Sequence, residues 1–274
     1  MHITRILLFI FVTSSILAQR KSNAFNKGSI YFYWGWNRTS YAESDIRFHG
    51  SNYDFTIHDV KAHDRPKGVH IDYINPTRIT IPQTNFRLGY FFSDKYNISL
   101  GLDHMKYVMT QNQTVNISGK IEVPGFEYHE TTDANTKQLT DDFLMFEHTD
   151  GLNYINVELT RLDDLTPYLF SSLNTDDFQI NVLNGIGLGM LYPRTNTTLM
   201  NKERYDEFHV AGYGASLKTG LNFTFFKHFF IQSEIKEGYI NMPDIRTSIN
   251  PTDRASQHFF FFQRNITLGG IFRI

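Results

Sequence analysis

The sequence predicts an all-β protein, an antiparallel up-and-down transmembrane β-barrel of about eight strands. Apolar and polar residues alternate over segments of about ten residues, which suits strands with lipid on one side and a wet interior on the other. The connections between these segments alternate between long and short. The last segment is long, and one of its faces is too apolar for an exposed edge strand in water.

The alternation defines eight predicted strands, at residues 29–37, 84–94, 96–109, 153–162, 178–192, 209–226, 229–240 and 257–274. In the last of them, Leu268 and Phe272 share the lipid-facing side, whereas Asn265 and Thr267 share the inner side. Each of the other segments has the same division into an apolar and a more polar face. A single barrel domain therefore accounts for the regular part of the chain.

The lengths of the connections support this interpretation. They alternate between long and short, and this alternation is independent of how residues are assigned to the two faces of each strand. Long polar stretches follow the first, third, fifth and seventh strands, and shorter connections follow the second, fourth and sixth. With the N-terminus in the periplasm, every long connection lies outside the cell and the even strand count returns the C-terminus to the periplasm.

Two alternatives to the eight-stranded barrel stay open at this point. Ten or twelve strands result if pieces of 38–83 or 110–150 pair inside the membrane. A water-soluble β-sandwich also contains a set of alternating strands, although its outward faces would be less apolar than these.

Residues 1–18 have the pattern of a secretory signal peptide. Arg5 precedes an apolar run at 6–12, and small residues follow up to Ala18. The run is too short for a membrane-spanning helix, which needs about 20 residues, although a short N-terminal anchor is the alternative. We therefore expect an exported chain of residues 19–274 that forms one barrel domain.

Composition excludes several classes of function. The net charge of −2 lacks the basic excess of a nucleic-acid-binding protein. The absence of cysteine excludes disulfides, thiolate metal sites and a cysteine nucleophile. The sequence contains no phosphate-binding glycine loop, HExxH helix or Gly-x-Ser-x-Gly turn, so neither a cofactor nor a metal is expected. Aromatic residues make up 15% of the chain, which is typical of barrels with interfacial aromatic girdles.

The final octet, TLGGIFRI, resembles the C-terminal insertion signal of bacterial outer-membrane β-barrels. In that signal a polar residue, a glycine and two terminal hydrophobic or aromatic residues fall at these offsets. Gly269, Phe272 and Ile274 supply the glycine and the two terminal residues here. The resemblance implies a Gram-negative outer membrane as the location, with its lipid and lipopolysaccharide and the outer-membrane insertion machinery as partners. The whole mature chain resembles small eight-stranded outer-membrane barrels with packed polar interiors.

Charged residues of both signs occupy predicted inward positions. These are Arg87, Asp103, Glu158, Lys218, Glu234, Lys236 and Arg273. An eight-stranded barrel has room only for side chains, so a wide pore is not expected. Buried charges must be paired, and we therefore expect an ion-pair network that fills and rigidifies the lumen.

Histidines concentrate in the predicted outer half of the barrel. The nine in this half are His49, His58, His63, His70, His104, His129, His148, His209 and His258. Two of them stand beside carboxylates near strand ends, His104 next to Asp103 and His148 close to Asp150. A histidine with an orienting carboxylate can act as a general base, so these four residues are candidate catalytic groups. Hydrogen bonding to loops or lipid headgroups is the simpler interpretation of the same residues.

The predicted function is that of an integral outer-membrane barrel with long extracellular loops, in a structural or ligand-binding role. An enzyme that hydrolyses envelope lipid is the alternative. Outer-membrane lipid A deacylases are small barrels with a histidine-based site near the outer leaflet, and this chain is similar in having His104 flanked by Asp103. It lacks their short His-then-Ser pattern.

Overall fold

The computed structural model describes residues 25–67, 83–170 and 173–273. The predicted signal peptide at 1–18 and Ile274 of the predicted insertion signal lie outside the described residues. No helix in the described part of the chain is long and apolar enough to cross a membrane.

The strands of the described residues are, in order, β1 (Ser29–Tyr41), β2 (Ser44–Gly50), β3 (Tyr53–Val60), β4 (Ala62–His63), β5 (Thr84–Phe91), β6 (Tyr96–Met109), β7 (Thr114–Ile121), β8 (Tyr128–His129), β9 (Thr136–Gln138), β10 (Leu144–Asp164), β11 (Phe178–Leu191), β12 (Asn196–Leu199), β13 (Gly212–Phe225), β14 (Phe229–Arg246) and β15 (Arg254–Arg273). A one-turn helix, α1 (Thr166–Leu169), has Pro167 in its first turn, where proline needs no hydrogen-bond partner.

Eight of these strands close into an antiparallel ring. The order around it is β1, β5, β6, β10, β11, β13, β14 and β15, and β15 pairs back onto β1 with Trp34 opposite Leu268. The predicted eight-stranded barrel is confirmed, and β6 has the predicted boundaries. Two strands are much longer than predicted: β10 begins at Leu144, and β14 continues to Arg246.

The outer wall of the ring is apolar, in agreement with the predicted lipid-facing sides. Its exposed side chains include Phe32, Phe86, Leu88, Ile98, Leu100, Val157, Leu159, Ile186, Leu188, Leu217, Leu221, Ile231, Ile235, Ile266, Leu268 and Phe272. Leu188 is 69% exposed although its strand, β11, is paired on both edges, with β10 and with β13. A continuous apolar wall of this size is stable only in contact with lipid, so the ring spans a membrane.

The end of the barrel that carries the short turns is filled by an aromatic and aliphatic plug. Its buried members are Phe25, Tyr31, Tyr33, Phe91, Leu162, Leu183, Phe230 and Ile271. Arg273 has the inward strand parity predicted for it, two residues after the buried Ile271, but it takes no part in the charges of the lumen. The side chain is exposed at the strand end, because Ile271 is the last residue of β15 that packs into the plug.

The opposite end of the barrel carries a folded cap rather than irregular loops. We define the cap as β2, β3 and β7 together with the ends of β6, β10, β14 and β15 that project beyond the apolar wall. β2 pairs with β15, β3 with β2, and β7 with β3, so the sheet continues past the ring. These segments pair outside the ring, and the count therefore stays at eight rather than ten or twelve strands.

A single apolar core joins the cap to the barrel strands. Its buried residues include Ile46, Phe48, Phe55, Ile57, Tyr107, Ile117, Phe146, Met242, Phe259 and Phe261. Each cap strand alternates buried apolar with exposed polar residues, which is the pattern of a strand with one wet face. The polar interior that the sequence predicted is thus confined to the middle of the barrel.

Candidate functional site

Six charged side chains meet in the middle of the lumen, and we call them the charge layer. They are Arg87 on β5, Asp103 on β6, Glu158 on β10, Lys218 on β13, and Glu234 and Lys236 on β14. All six are buried because their strand positions face inward in the ring. Three carry positive and three carry negative charge, so the layer is formally neutral.

Glu158 lies at the centre of the charge layer. Its Oε1 is 2.9 Å from Arg87 Nη2 and 2.8 Å from Lys236 Nζ, and its Oε2 is 2.6 Å from Lys218 Nζ. Asp103 also contacts Lys236, and Glu234 Oε2 is 3.4 Å from Lys218 Nζ. Each cation therefore contacts at least one carboxylate, as charges removed from water require.

The strands around Arg87 are shaped to hold its guanidinium. A Cβ on Gly101 would come within 2.6 Å of the guanidinium carbon, so glycine at this position makes the room. Arg87 Nε donates to the Tyr33 hydroxyl at 2.9 Å, and Nη2 donates to Asn156 Oδ1 at 2.7 Å. Directed hydrogen bonds of this kind hold the charge layer in one arrangement. Such an arrangement suits a structural filling of the lumen rather than a site that exchanges ligands.

The structure does not bring His104 and Asp103 into one site. Asp103 points into the lumen and contacts Lys236, whereas its neighbour His104 points to the other side of the strand. His104 Nδ1 instead lies 2.8 Å from Asn153 Oδ1. Adjacent strand residues face opposite ways, which is why this pair from the sequence does not converge.

Among the described residues, His148 and Asp150 form no hydrogen bond or ion pair with each other or with the other two candidates, although the charge of Asp150 acts on His104. His148 is fully buried in the cap core, with Nδ1 2.9 Å from Thr195 Oγ1 and its ring between Tyr107 and Phe146. Burial lowers the pKa of His148 to about 3, so its imidazole is neutral. Asp150 is exposed, and Arg194 and Arg204 are the basic side chains beside it. The four predicted catalytic residues therefore do not form a common site.

Sequence reasoning missed a polar cluster on the outward face of the cap. It consists of Asp45 on β2, His58 on β3 and Ser118 on β7. His58 Nδ1 is 3.0 Å from Asp45 Oδ2, and His58 Nε2 is 2.8 Å from Ser118 Oγ. Partial burial raises the pKa of Asp45, but hydrogen bonds from His58 and from the Asp59 N–H outweigh this and hold it below its usual value.

A signal for this cluster was present in the sequence. Ile46 and Phe48, like Phe55 and Ile57, are apolar residues two positions apart, which identifies short strands with a polar opposite face. Val115 and Ile117 repeat the pattern before Ser118. The pairing of these three strands depends on contacts across 60 residues of chain, which local alternation does not encode.

The described residues contain no group of three or more histidine, aspartate or glutamate side chains arranged to hold a metal ion. No family model matches the chain, and no curated protein matches it.

Solved structures with similar topology are outer-membrane proteins. OprG of Pseudomonas aeruginosa is 11% identical, with a TM-score of 0.41 over 92% of this chain and 99% of that one. AlkL in lipid bilayers is 11% identical, with a TM-score of 0.39 over 94% of this chain and 96% of that one. Neisserial surface protein A is 9% identical, with a TM-score of 0.31 over 86% and 98%. Similarities at this level say nothing about function.

The ring itself decides the class of protein. It is closed, it has an apolar outer wall, and it encloses paired charges. The chain is a small transmembrane β-barrel, with the fold seen in bacterial outer-membrane proteins. Its apolar outer wall consequently faces membrane lipid.

Proposed function

We propose that this barrel is closed to solutes and that its cap lies outside the cell as a rigid binding surface for a ligand or partner. The observation that carries the proposal is the apolar core shared by the cap strands and the projecting barrel strands, in which Phe48 and Phe55 pack with Phe146. A surface held in place by such a core loses little conformational freedom on binding.

Residues 125–133, which follow β7, form the exposed tip of the cap, and hydrogen bonds to carboxylates order this segment. Glu127 Oε2 accepts from the Gly125 N–H at 3.0 Å, and Asp133 Oδ2 accepts from the His129 N–H at 2.6 Å. These bonds satisfy backbone groups that a flexible loop would leave to water. Binding residues on ordered loops of a rigid scaffold are a common arrangement in proteins.

Three stacked layers support the proposed closure of the lumen, namely the plug, the charge layer and the cap core. The alternative function as an envelope-lipid hydrolase gains no support from the predicted residues, since Asp103 is inside the barrel and His148 is buried in the cap. We further infer that Gly269 and Phe272 are read by the insertion machinery before folding. In the folded barrel both residues are engaged in packing. Phe272 stacks on Phe32 with ring centroids 5.8 Å apart, and the Phe230 ring occupies the space that a side chain at Gly269 would need.

The test uses the full chain in lipid nanodiscs and in planar bilayers. We expect no conductance above that of lipid alone. Binding to isolated lipopolysaccharide, to sulfated glycans and to cationic peptides is measured by biolayer interferometry. The double substitution Arg47→Glu with Lys120→Glu on the cap face should weaken binding of lipopolysaccharide or a sulfated glycan at least tenfold, an effect of about 1.4 kcal/mol, and should not weaken binding of a cationic peptide.

The matched control is Lys227→Glu, a charge reversal in the turn at the opposite end of the barrel. It should leave binding unchanged. Equal losses from the cap and turn variants, or binding to none of the three classes, would contradict the proposed binding surface. Channel-like conductance of the full chain would contradict the proposed closure.

A further inference from the structure

We propose that Ser118, His58 and Asp45 form a hydrolytic site for short acyl esters on the face of the cap. Ser118 is the nucleophile and His58 the general base, and Asp45 is a positioning residue. This activity goes beyond the proposed function, because ligand binding breaks no bond. The site's position outside the cell rests on the proposed orientation, whereas its chemistry does not.

The hydrogen bonds determine which nitrogen of His58 carries the proton. A carboxylate only accepts hydrogen bonds, so the 3.0 Å contact with Asp45 Oδ2 requires the proton on His58 Nδ1. Nε2 then has a free electron pair and accepts the Ser118 hydroxyl proton across 2.8 Å. A serine, a histidine and an orienting carboxylate in this order are the arrangement that activates a serine for attack on a carbonyl carbon.

A β-bulge creates the contact between His58 and Asp45. Ser44 pairs with Val60 and Ile46 pairs with Ile57, so two residues of β3, His58 and Asp59, stand opposite Asp45 alone. Asp59 has φ +52°, and its N–H donates to Asp45 Oδ1 at 3.0 Å while His58 contacts Oδ2. Bulges redirect side chains and are frequent beside active sites. Here the bulge fixes both carboxylate oxygens.

The amide after Ser118 offers a position for the negative oxygen of the tetrahedral intermediate. Gly119 has φ +100°, and its N–H donates to Glu130 Oε2 at 2.8 Å. An anionic oxygen therefore already binds at this amide, next to the nucleophile. Glu130 is an exposed residue, and the carbonyl oxygen of a bound ester would take its place.

The reaction balances without a cofactor. Ser118 Oγ bonds to the ester carbonyl carbon as its proton passes to His58 Nε2, and the leaving alcohol takes that proton when the C–O bond breaks. Water then attacks the acyl-serine and gives a proton to His58. The carboxylic acid leaves, and the same proton returns to Ser118 Oγ. The net reaction is ester plus water to acid plus alcohol.

The surroundings of Ser118 indicate the substrate class. Residues on the same cap face are Arg47, Thr56, Asn116 and Lys120, so no apolar groove is present on this described face for a long acyl chain. β2 pairs with 254–257 of β15, beyond the lipid-exposed Phe260, which puts the site outside the hydrocarbon. Acetyl esters of sugar hydroxyls, presented from water, fit both observations.

The first experiment treats the full chain in nanodiscs with a fluorophosphonate probe and measures hydrolysis of p-nitrophenyl acetate. We expect covalent labelling at Ser118. Ser118→Ala and His58→Ala should each abolish labelling and lower acetate hydrolysis at least about 100-fold. Ser51→Ala, in the exposed turn between β2 and β3, is the control and should change neither. No labelling of the full chain, or equal labelling of Ser118→Ala, would overturn the proposal.

A second experiment needs no substrate, because the chain contains no cysteine. Ser118→Cys should react with iodoacetamide at pH 6.5 at least about tenfold faster than Ser51→Cys, since a neighbouring histidine favours the thiolate. Adding His58→Ala should remove the difference. Equal rates for the two single-cysteine variants would overturn the activation of position 118. Heat-modifiable migration on gels and protease resistance of the cap confirm that each variant is folded.

Asp45→Asn tests the positioning role separately from folding. Asparagine keeps an oxygen for the Asp59 N–H, but its amide group donates toward His58 Nδ1 and so favours the tautomer with the proton on Nε2. Probe labelling should fall at least about tenfold while the cap stays protease-resistant. Unchanged labelling would remove Asp45 from the site.

Discussion

The charge layer and the cap core are buried by the same strands, yet their composition is opposite. On β6 the inward residues change from Ser99 and Asp103 to Met105 and Tyr107 within a few positions. The inward side of β15 changes in the same direction, from the amides of Asn265 and Gln263 to Phe261 and Phe259.

The difference follows from the solvent on the other side of each wall. Where the ring faces lipid, apolar side chains point outward into the lipid, and polar side chains point inward and must find hydrogen-bond or ion-pair partners there. Where the strands project beyond the membrane, water satisfies polar residues outside and the hydrophobic effect drives apolar residues inward. The level of the barrel at which the inward residues change from polar to apolar therefore marks the edge of the hydrocarbon on the cap side.

The largest expected effect comes from breaking the charge layer. Glu158→Ala leaves Arg87, Lys218 and Lys236 with one carboxylate fewer in a buried site, and removing one partner of a buried ion pair costs about 3–5 kcal/mol. Urea unfolding in lipid vesicles measures the loss. Trp34 and Trp36, the two tryptophans of the chain, lie on the ring strand β1 and report on the barrel.

The matched control breaks an exposed ion pair of the cap. Arg47 Nη2 is 2.7 Å from Asp54 Oδ2, but both side chains are about half exposed, at 58% and 47%. Asp54→Ala should cost less than about 1 kcal/mol, because water screens the pair. Similar losses from Glu158→Ala and Asp54→Ala would contradict the view that burial gives the charge layer its importance.

A somewhat smaller and more local effect is expected in the cap core. Phe55→Ala removes a ring that stacks on Phe48 at 5.3 Å and should destabilise the cap by about 3 kcal/mol. Because the ring of eight strands does not depend on β3 for closure, the cap should become protease-sensitive while the tryptophan signal of the barrel stays unchanged. Simultaneous loss of both signals would show that cap and barrel unfold as one unit.

The ring was predictable from the sequence because its signal is local. Alternation along each strand and the lengths of the connections fixed eight strands without knowledge of any distant contact. The cap was not predicted, since its strands are short. In addition, the apolar residues of the barrel strands face outward in the ring but inward in the cap. On β6 the change from apolar Leu102 to apolar Met105, an odd spacing, is the local sign of that inversion.

Site residues were less predictable than the fold. The members of the charge layer follow from strand parity, whereas their individual partners depend on which strands are neighbours. His104 and Asp103 were paired from adjacency in sequence, but adjacency in a strand places side chains on opposite faces. The cluster of Asp45, His58 and Ser118 needs a bulge and two strand pairings, none of which has a signature in one short segment.

The smallest of the expected effects is a loss of stability at low pH, which should affect the cap core rather than the charge layer. His148 is neutral in the folded cap because burial lowers its pKa to about 3, whereas the unfolded chain has the ordinary value of about 6.5. Below pH 6.5 the unfolded state therefore binds more protons than the folded state. Stability supplied by the neutral ring is present above pH 6.5 and is lost as the pH falls toward 3.

At pH 5 this difference should cost the cap about 2 kcal/mol relative to pH 7.5. The measurement is the protease sensitivity of the cap across urea concentrations at the two pH values. In His148→Gln the cap is less stable at pH 7.5, since the packing between Tyr107 and Phe146 changes, but its pH dependence should flatten. An unchanged slope in this variant would assign the acid sensitivity to another group, and the exposed carboxylates of the tip would be the next to substitute.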